Sequence, residues 1–467
     1  MNLRQFSSAL PVRGRRIEKA NLAINTDGKR VDISGKGIID GLQANIDVET
    51  STDASVKLKS NVKLVMSERD RAKIGLDLGE WLQGPVSVAI KQNGSLKHRY
   101  DVEVDLSKSV LRLDEIGWIK KSGVKGKATF QVLTKGNLYE VSSLNISGQG
   151  FKATGEAKIH AKQGLKSLVI HNLSLSRGDR LSVRATQRKG KFLDIFVSGK
   201  LLDLRGKLVQ GPLNSQGSSS KKSTSSYHLK AKIDRVIGMN GSVMSGLNAR
   251  HSVSRGKDTE IFISAKLNGR SDFKVDTKKG TSPTFHISAS DAGSFLRFMG
   301  AYDKLVGGRL IISAQIMNDR RKMAGSVFLK KFAIKGVERR NTSSGKIERA
   351  DTSFDKLTMN FSDTDGVISI SNGVVKGPAL GATMYGTVNM RNKNLRLTGV
   401  YIPAYAVNNL FSRLPVIGRA LGNRKNEGLL GITYKIKGNL KDPKVFVNPA
   451  SVLAPGALRK IFEFGRN

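Results

Sequence analysis

Few residues of this chain have the types and spacing that catalysis or metal binding requires. Its six histidines are scattered, and no two of them share one element at the spacing of metal ligands. Gly35, Gly37 and Gly41 approach the dinucleotide-binding fingerprint, but the last glycine is displaced by one position and no helical pattern follows. No phosphate-binding Gly-x-x-x-x-Gly-Lys-Ser/Thr loop and no Gly-x-Ser-x-Gly nucleophile motif occurs. We therefore expect a protein that is not an enzyme and that needs no cofactor and no metal.

The charge balance is strongly basic, because 79 lysines and arginines stand against 38 acidic residues, a net charge of +41. Such an excess can attract polyanions. The basic residues are spread over the whole length, however, and occupy the polar positions of alternating stretches such as VKLKSNVKLVM (56–66) and YHLKAKIDRV (227–236). No recognisable nucleic-acid-binding module accompanies them. We interpret them as solvated strand faces and expect no specific nucleic acid as a partner.

Alternating apolar and polar residues must be positioned by strands, and such stretches recur at roughly 8–12-residue spacing with Gly, Asp or Asn between them. This spacing is typical of antiparallel meanders. Strands with one apolar and one basic face must cover the apolar face with a second sheet or with a ligand. We predict a mainly β fold, an elongated and curved antiparallel β-sheet groove with a few short capping helices. About 25 strands at ~4.8 Å would form a groove on the order of 100 Å long, which suits hydrocarbon chains.

The predicted domain organisation has three parts. Residues 1–210 form a β-rich groove segment, and residues 211–226, rich in Gly and Ser, form a flexible linker or loop. Residues 227–467 form a second β groove region that ends in an amphipathic helix.

Four helices are predicted, and for the first three a cap or plug on a sheet is favoured over a role in ligand binding. Residues 67–76 open with a Ser-x-x-Asp pattern that resembles a capping box. Residues 290–308 show helical apolar spacing and close with a double glycine. Residues 403–415 lie between two prolines, and a further helix is expected after Pro455.

The second half carries a series of motifs: a helix with an acidic start and a glycine-rich turn, a strand pair, and a proline-glycine ending. The matching residues are Asp291, Ala292, Gly293, Leu296, Gly300, Tyr302, Asp303, Gly307, Gly308, Pro415, Gly418, Glu427, Gly428, Gly431, Gly438, Asp442, Pro443, Val445, Asn448, Pro449, Pro455, Gly456 and Leu458. With this series the region from about 290 to 464 resembles the C-terminal region of the AsmA-like envelope proteins, closest to the YhdP-like branch. Residues 77–90 and 118–130 resemble the repeated β segments of that family more loosely.

The resemblance implies bridge-like phospholipid transport between the inner and outer membranes of a Gram-negative envelope. In the family, acyl chains slide along an apolar β groove in the periplasm while the head groups stay in water. The implied partners are phospholipids and the membrane surfaces at the groove ends. Family proteins begin with an inner-membrane anchor, and neither an anchor nor a signal peptide is visible in this sequence. We therefore interpret the chain as a fragment of a longer protein, or as one that works with a separate N-terminal anchoring segment or protein.

Apolar residues that alternate on three predicted strands are the candidates for lining a lipid groove. They are Val102, Val104, Leu106, Leu229, Ala231, Ile233, Ile261, Ile263 and Leu267. Ordinary sheet core is an equally good interpretation of all nine, because alternation alone does not tell which face points inward.

The predicted closing helix is a second candidate site, for contact with a membrane surface or a partner protein. Its residues are Leu458, Arg459, Lys460, Ile461 and Phe462. The alternative is a helix that caps the last strand and protects its edge.

Two other functions stay open from the sequence. One is an envelope or outer-membrane assembly scaffold that conducts no lipid. The other is a polyanion-binding β protein, for which the net charge of +41 is the argument.

Overall fold

A computed structural model describes residues 1–8, 16–51, 59–73, 78–79, 81–93, 98–113, 117–176, 178–188, 192–210, 226–254, 257–278, 284–316, 322–340, 347–378, 380–403, 432–440 and 442–448. The described strands form one large, open, mostly antiparallel sheet and one small sheet of three strands. The expectation of a mainly β protein with few short helices is confirmed. The predicted helix at 403–415 lies outside the described residues except for Pro403, and the predicted closing helix lies wholly outside them.

The chain divides into two compact units, which are described separately. The first unit contains Met1–Asp203, Gly217–Ile233 and Ser252–Lys257. The second contains Leu204–Gln216, Asp234–His251 and Asp258–Asn467.

The described residues of the first unit form sixteen complete strands and one helix. They are β1 (Asn2–Phe6), β2 (Ile17–Thr26), β3 (Arg30–Ile39), β4 (Leu42–Ser51), β5 (Lys59–Met66), α1 (Glu68–Lys73), β6 (Leu82–Gln83), β7 (Val86–Asn93), β8 (Arg99–Asp105), β9 (Val110–Leu113), β10 (Trp118–Lys120), β11 (Gly126–Lys135), β12 (Leu138–Gly148), β13 (Phe151–His160), β14 (Gly164–Ser174), β15 (Arg180–Gln187) and β16 (Leu193–Asp203).

The large sheet of this unit is a meander in which strands pair antiparallel with the next strand along the chain. The order is β1-β2-β3-β4-β5-β7-β8-β11-β12-β13-β14-β15-β16. The three omitted strands, β6, β9 and β10, form the small sheet. Short turns containing glycine connect β2 to β3, β3 to β4, β11 to β12 and β12 to β13, as the turn residues in the sequence predict.

The second unit continues the same pattern with two helices. Residues of both units occur in β17 (Tyr227–Ile237), β18 (Val243–Ser254) and β19 (Lys257–Leu267). The remaining elements are α2 (Arg205–Gln210), β20 (Ser271–Lys278), β21 (Thr284–Ala289), α3 (Ala292–Met299), β22 (Leu305–Ile316), β23 (Lys322–Arg340), β24 (Ile347–Thr364), β25 (Val367–Lys376), β26 (Leu380–Asn389), β27 (Asn394–Pro403), β28 (Ile432–Asn439) and β29 (Asp442–Asn448). From β19 to β29 each strand pairs antiparallel with the next.

The capping box predicted at the start of α1 is present. The Ser67 backbone N–H donates to an Asp70 carboxylate oxygen at 2.9 Å, and the Asp70 N–H donates to the Ser67 hydroxyl at 3.4 Å. The Ser67 hydroxyl also donates to the Asp70 carboxylate at 2.6 Å, and this bond, with the one from the Ser67 N–H, holds the pKa of the Asp70 carboxyl below its usual value. The helix is described as far as Lys73, so only its start tests the prediction.

The helix predicted at 290–308 is present but shorter, and the prediction of its end at the double glycine is wrong. Asp291 caps the start by accepting from the Ser294 N–H at 2.9 Å. Gly300 ends the helix in the left-handed conformation, with φ of 65°, and its N–H bonds back to carbonyls of the last turn. Gly307 and Gly308 instead lie in β22, where a Cβ on Gly308 would meet Phe332 at 2.9 Å.

Helix α2 was not predicted. It has six residues, and the second of them is glycine, so it shows no apolar periodicity long enough to indicate a helix. The Leu204 N–H pairs with the carbonyl of Ile237, which fixes the start of this turn against β17.

Candidate functional site: an apolar sheet face in each unit

One face of the first unit's sheet is apolar from β2 to β16, as the pairing of residues between neighbouring strands shows. Because directly opposed residues of an antiparallel pair point to the same side, cross-strand partners can be read as rows. Two such rows define the first apolar face: Leu22, Gly35, Ile46, Val62, Ile90, Val102 and Phe130; and Tyr100, Val132, Val141, Ala157, Leu168, Ala185 and Ile195.

The opposite face of the same strands is polar and charged. A row displaced by one residue from the first apolar row runs Asp47, Asn61, Lys91, Asp101 and Gln131. Across this face the Gln131 amide donates to the Asp101 carboxylate at 3.0 Å, and Lys127 pairs with Glu103 at 2.8 Å. Such exposed pairs contribute little stability, about 0–1 kcal/mol each. The sheet is therefore amphipathic from strand to strand, as the alternating sequence indicates.

One end of the first apolar face is covered by α1 and the small sheet. Leu82 of β6 packs with Val86, Val102 and Leu106, and all four are buried. Two buried cations hold the cover by donating to backbone carbonyls. Lys120 Nζ lies 2.6 Å from the Leu106 oxygen and 2.8 Å from the Ser109 oxygen, and burial lowers the pKa of its ammonium group.

The second buried cation is Arg71 on α1. Its guanidinium donates to the carbonyls of Leu82 and Gly84, both at 2.9 Å. Burial lowers the pKa of this group, and Glu68 and Asp70 act in the opposite direction. Because the carbonyls at the ends of short strands lack ladder partners, these charged donors satisfy them where water is excluded.

The first apolar face combines buried side chains, such as Leu22, Ile46, Val141 and Ala185, with half-buried ones. Ile90, Tyr100, Val104 and Val132 point to the apolar side, yet each keeps part of its surface in contact with solvent. Among the described strands, only the three of the small sheet lie outside the large sheet, so no second large sheet is available to cover them. Apolar surface of this extent is unfavourable in water unless a ligand or partner covers it.

The second unit has an apolar face of the same kind. Its two rows define the second apolar face: Ile263, Val275, Ile287, Ile312, Val327 and Met359; and Leu357, Val375, Ala382, Tyr401 and Ile432. The row displaced by one residue begins with Phe262 and is polar from β20 onward: Asp276, His286, Ser313, Ser326, Asn360 and Ser371.

Helix α3 covers one end of the second apolar face with aromatic side chains. Phe295 stacks on Phe273 of β20 with ring centroids 5.2 Å apart, and Phe298 is 2% exposed. Gly238 lies directly beneath Phe298, where a Cβ would come within 2.3 Å of the ring. On the solvent side of the helix, Arg297 donates to the Leu305 carbonyl at 3.0 Å and joins α3 to β22.

Two polar groups lie on the second apolar face itself. Asp363 stands opposite Met323 and Ile368, accepts from the Gly366 N–H at 2.8 Å, and has its pKa raised by burial. Tyr434 is buried against β26, where its hydroxyl donates to the Thr383 carbonyl at 2.7 Å. Burial raises the pKa of this phenol to about 12.

The structure places the nine groove candidates at different depths. Val102, Val104 and Ile263 lie on the two apolar faces defined by register. Leu106 and Leu267 lie at the covered ends, and Leu267 is fully buried. Ala231 and Ile233 on β17 are buried, whereas Leu229 and Ile261 are half-buried. The candidates therefore divide into four half-buried residues, Val104, Leu229, Ile261 and Ile263, which keep some exposure to a ligand, and five buried ones.

The closing-helix candidates Leu458, Arg459, Lys460, Ile461 and Phe462 lie outside the described residues. The buried cations Lys120 and Arg71 were not singled out from the sequence. In the sequence neither residue differs from the rest of the 79 lysines and arginines. Only the backbone carbonyls that surround each of them in the folded chain distinguish them.

The described part of the chain was searched for groups that could hold a metal ion. No cluster of three or more His, Asp or Glu side chains is placed to hold a metal among these residues. His228 and His286 bond to serines of neighbouring strands, Ser252 at 2.9 Å and Ser313 at 3.1 Å. Within the same described ranges, no helix has the length and apolar character needed to cross a membrane.

The chain was also compared with known proteins. No protein-family model matches it, and no curated protein matches its sequence significantly.

Proposed function

We propose that this chain binds phospholipid acyl chains along its apolar sheet faces and conducts them between the inner and outer membranes of a Gram-negative envelope. In this role it is not an enzyme, and its ligand leaves chemically unchanged. The head groups stay in water while the acyl chains lie on the sheet. Membrane surfaces at the two ends, and a separate anchoring segment or protein, are the proposed partners in the periplasm.

The observation that carries the proposal is the apolar character of the register rows in each unit, together with the half-burial of part of their side chains, such as Val62, Ile90 and Ile263. A row such as Ile46, Val62, Ile90 and Val102 presents a side chain every ~4.8 Å with no charged residue in it. A flexible hydrocarbon chain can lie along such a row without specific polar contacts. A small polar ligand would find few hydrogen-bonding groups there.

The free energy available is sufficient for binding. Shielding one methylene group from water contributes about 0.8 kcal/mol, so ten methylenes contribute about 8 kcal/mol before the entropy of ordering is subtracted. Because the surface is repetitive, neighbouring positions along a row have similar affinity. This is what a lipid that moves along the sheet requires.

The test is site-specific photo-crosslinking in the intact chain, followed by mass spectrometry of the attached lipid. A photoreactive phenylalanine analogue at Ile263 faces the second apolar face, and the same analogue at Ser264, its neighbour, faces the opposite side. We expect phospholipid adducts at position 263 and at least tenfold fewer at position 264. The analogue also replaces Val104 in the first unit, with Glu103 as its matched control.

Equal labelling at the paired positions, or no phospholipid at either apolar position, would contradict the proposal. A second readout uses Ile263→Asp against Ser264→Asp, with the lipid that co-purifies measured for each. If both variants fold by circular dichroism and carry equal lipid, the second apolar face does not bind acyl chains, and an assembly scaffold without lipid conduction becomes the better interpretation.

A further inference from the structure

The last described strand, β29, exposes three consecutive large apolar side chains. Val445, Phe446 and Val447 are 61%, 49% and 52% exposed. In the other described strands, exposed large apolar residues occur singly. Scattered single residues of this kind are normal on protein surfaces, whereas a contiguous apolar strip usually marks an interaction site.

Two of these residues continue the second apolar face to its edge. Val445 stands opposite Ile436, and Val447 stands opposite Tyr434. Tyr434 is buried because β29 covers one side of it, while no described strand covers β29 in turn. Both valines are therefore exposed because β29 is the last strand at this edge of the sheet within the described residues.

The other face of the sheet at this edge carries four basic residues, Arg396, Lys435, Lys437 and Lys444. Lys444 stands opposite Lys437, which stands opposite Arg396, and Lys435 stands opposite Phe446. The one acidic residue on this face of β27, β28 and β29 is Asp442, which stands opposite Asn439 and pairs with Lys304. Lys435 is close enough to Lys437 and Arg396 for their charges to lower its pKa, in addition to the larger effect of burial. This face of the three strands carries four basic residues against one acidic residue, and its net positive charge favours an acidic segment.

Edge strands are often protected by proline and lysine, and β29 contains Pro443 and Lys444. Both lie at the start of the strand, where Asp442 also pairs with Lys304 at 3.6 Å. The second half of the strand has no such protection. The protected start fixes the register, and the unprotected half is the part available for pairing.

We propose that the outer edge of β29 is a docking strand for another protein, which adds an extended segment with alternating apolar and acidic side chains. The apolar side chains of that segment cover Val445 and Val447 and extend the second apolar face by one strand. Its acidic side chains lie on the other side, beside Lys435 and Lys444. Main-chain hydrogen bonds supply part of the affinity, and the alternation supplies the selectivity. Pairing at this edge does not require lipid on the sheet.

The test measures binding of three fluorescein-labelled peptides to the intact chain by fluorescence anisotropy. The first is a capped nonapeptide, TVEVEVEVT, which alternates valine and glutamate. The second replaces each glutamate by lysine, and the third keeps the composition of the first with valines and glutamates in separate blocks. We expect the first peptide to bind at least tenfold more tightly than the other two, and its affinity to fall several-fold as salt screens the charges.

Matched variants locate the site. Val445→Ser combined with Val447→Ser should weaken binding of the first peptide at least tenfold. Val65→Ser should leave it unchanged, because Val65 is similarly exposed, at 58%, but lies in β5, which is paired on both sides. Lys437→Gln with Lys444→Gln should reduce the preference for glutamate over lysine, and Lys63→Gln should not.

Three results would overturn the proposal. The first is equal affinity for the glutamate and lysine peptides, or for the alternating and block peptides. The second is no binding of any peptide to the intact chain, since the edge is then already occupied by the chain itself. The third is self-association of the intact chain, seen by sedimentation and abolished by the double serine variant, since the occupant is then a second copy.

Discussion

The two units close one end of their apolar faces with different chemistry. In the first unit, a short helix and a three-stranded sheet are held by Lys120 and Arg71, which donate to backbone carbonyls. In the second unit, Phe295 and Phe298 of α3 fill the same kind of position with aromatic rings. An apolar sheet face that must be closed at one end thus accepts either charged donors or an apolar plug, provided that the backbone groups beneath are satisfied.

This difference can be tested because the two tryptophans, Trp81 and Trp118, both lie in the first unit. Tryptophan fluorescence therefore follows unfolding of the first unit. Hydrogen exchange with peptide-level resolution follows the second.

The largest effect is expected from Phe298→Ala. Removal of a fully packed ring at the covered end should destabilise the second unit by about 3–5 kcal/mol, because it loses the transfer free energy and leaves a cavity. Exchange protection in β20–β22 and β17 should fall, while tryptophan fluorescence should unfold at the unchanged denaturant concentration. Phe446→Ala is the matched control, since that ring is exposed, and it should change stability by less than about 0.5 kcal/mol. Equal effects of the two substitutions would mean that α3 is not a packed cover.

The next effect is expected from Lys120→Met, which keeps the length of the side chain but removes its donors. The carbonyls of Leu106 and Ser109 then remain buried without this partner. We expect the first unit to lose about 2–3 kcal/mol, measured by denaturant unfolding with tryptophan fluorescence. Lys127→Met, at an exposed ion pair, is the control and should cost about 0–1 kcal/mol. Stabilisation by Lys120→Met would show that the cover needs only apolar packing.

High pH should act on the two units in opposite directions. The folded-state pKa of Tyr434 is raised to about 12, so its contribution is present below the ordinary phenol pKa and is lost as pH rises from about 10 to about 12. Two pKa units correspond to about 2–3 kcal/mol. The folded-state pKa of Lys120 is lowered. As pH falls below the ordinary lysine pKa, the unfolded state is therefore protonated first, and the free energy of unfolding falls. It rises again as pH increases from the lowered pKa to the ordinary lysine pKa.

The measurement is stability of each unit against pH between 8 and 12, in the unaltered chain and in two variants. Tyr434→Phe should remove the alkaline loss in the second unit, and Lys120→Met should remove the alkaline gain in the first. Because many lysines titrate in the same range, only the difference between each variant and the unaltered chain is informative. Parallel curves for Tyr434→Phe and the unaltered chain would rule out the burial of that phenol.

The smallest effect concerns the caps of the two covering helices. Asp291→Ala should destabilise the second unit by about 1 kcal/mol, because the Ser294 N–H and hydroxyl lose their acceptor. Ser67→Ala should cost less than this in the first unit, since its capping box is solvent-exposed and water can replace the side chain. Both values come from denaturant unfolding. A larger cost at Ser67 than at Asp291 would reverse the comparison.

The strands were largely predictable, and so was the presence of two of the three described helices. Segments such as YDVEVDL (100–106) and GRLIISAQI (308–316) fall within one to three residues of β8 and β22. The end of α3 was mistaken because two glycine signals follow the helix, at Gly300 and at Gly307, and both can end a helix. Gly300 ends the helix because its N–H bonds to the carbonyls of Leu296 and Arg297 in the last turn. The degree of burial of the groove candidates could not be predicted, since Leu267 and Ile263 are both apolar positions of the same alternating stretch.

The sequence by itself determined that this protein is built from amphipathic antiparallel strands, because a period of two with turn residues between the segments permits little else. It also determined which side chains share a face within one strand. Only the tertiary structure decided which rows run across the sheet, which end of each apolar face is covered, and which two cations among so many lie buried. These depend on register and on contacts between residues distant in the chain, and a local pattern contains no information about either.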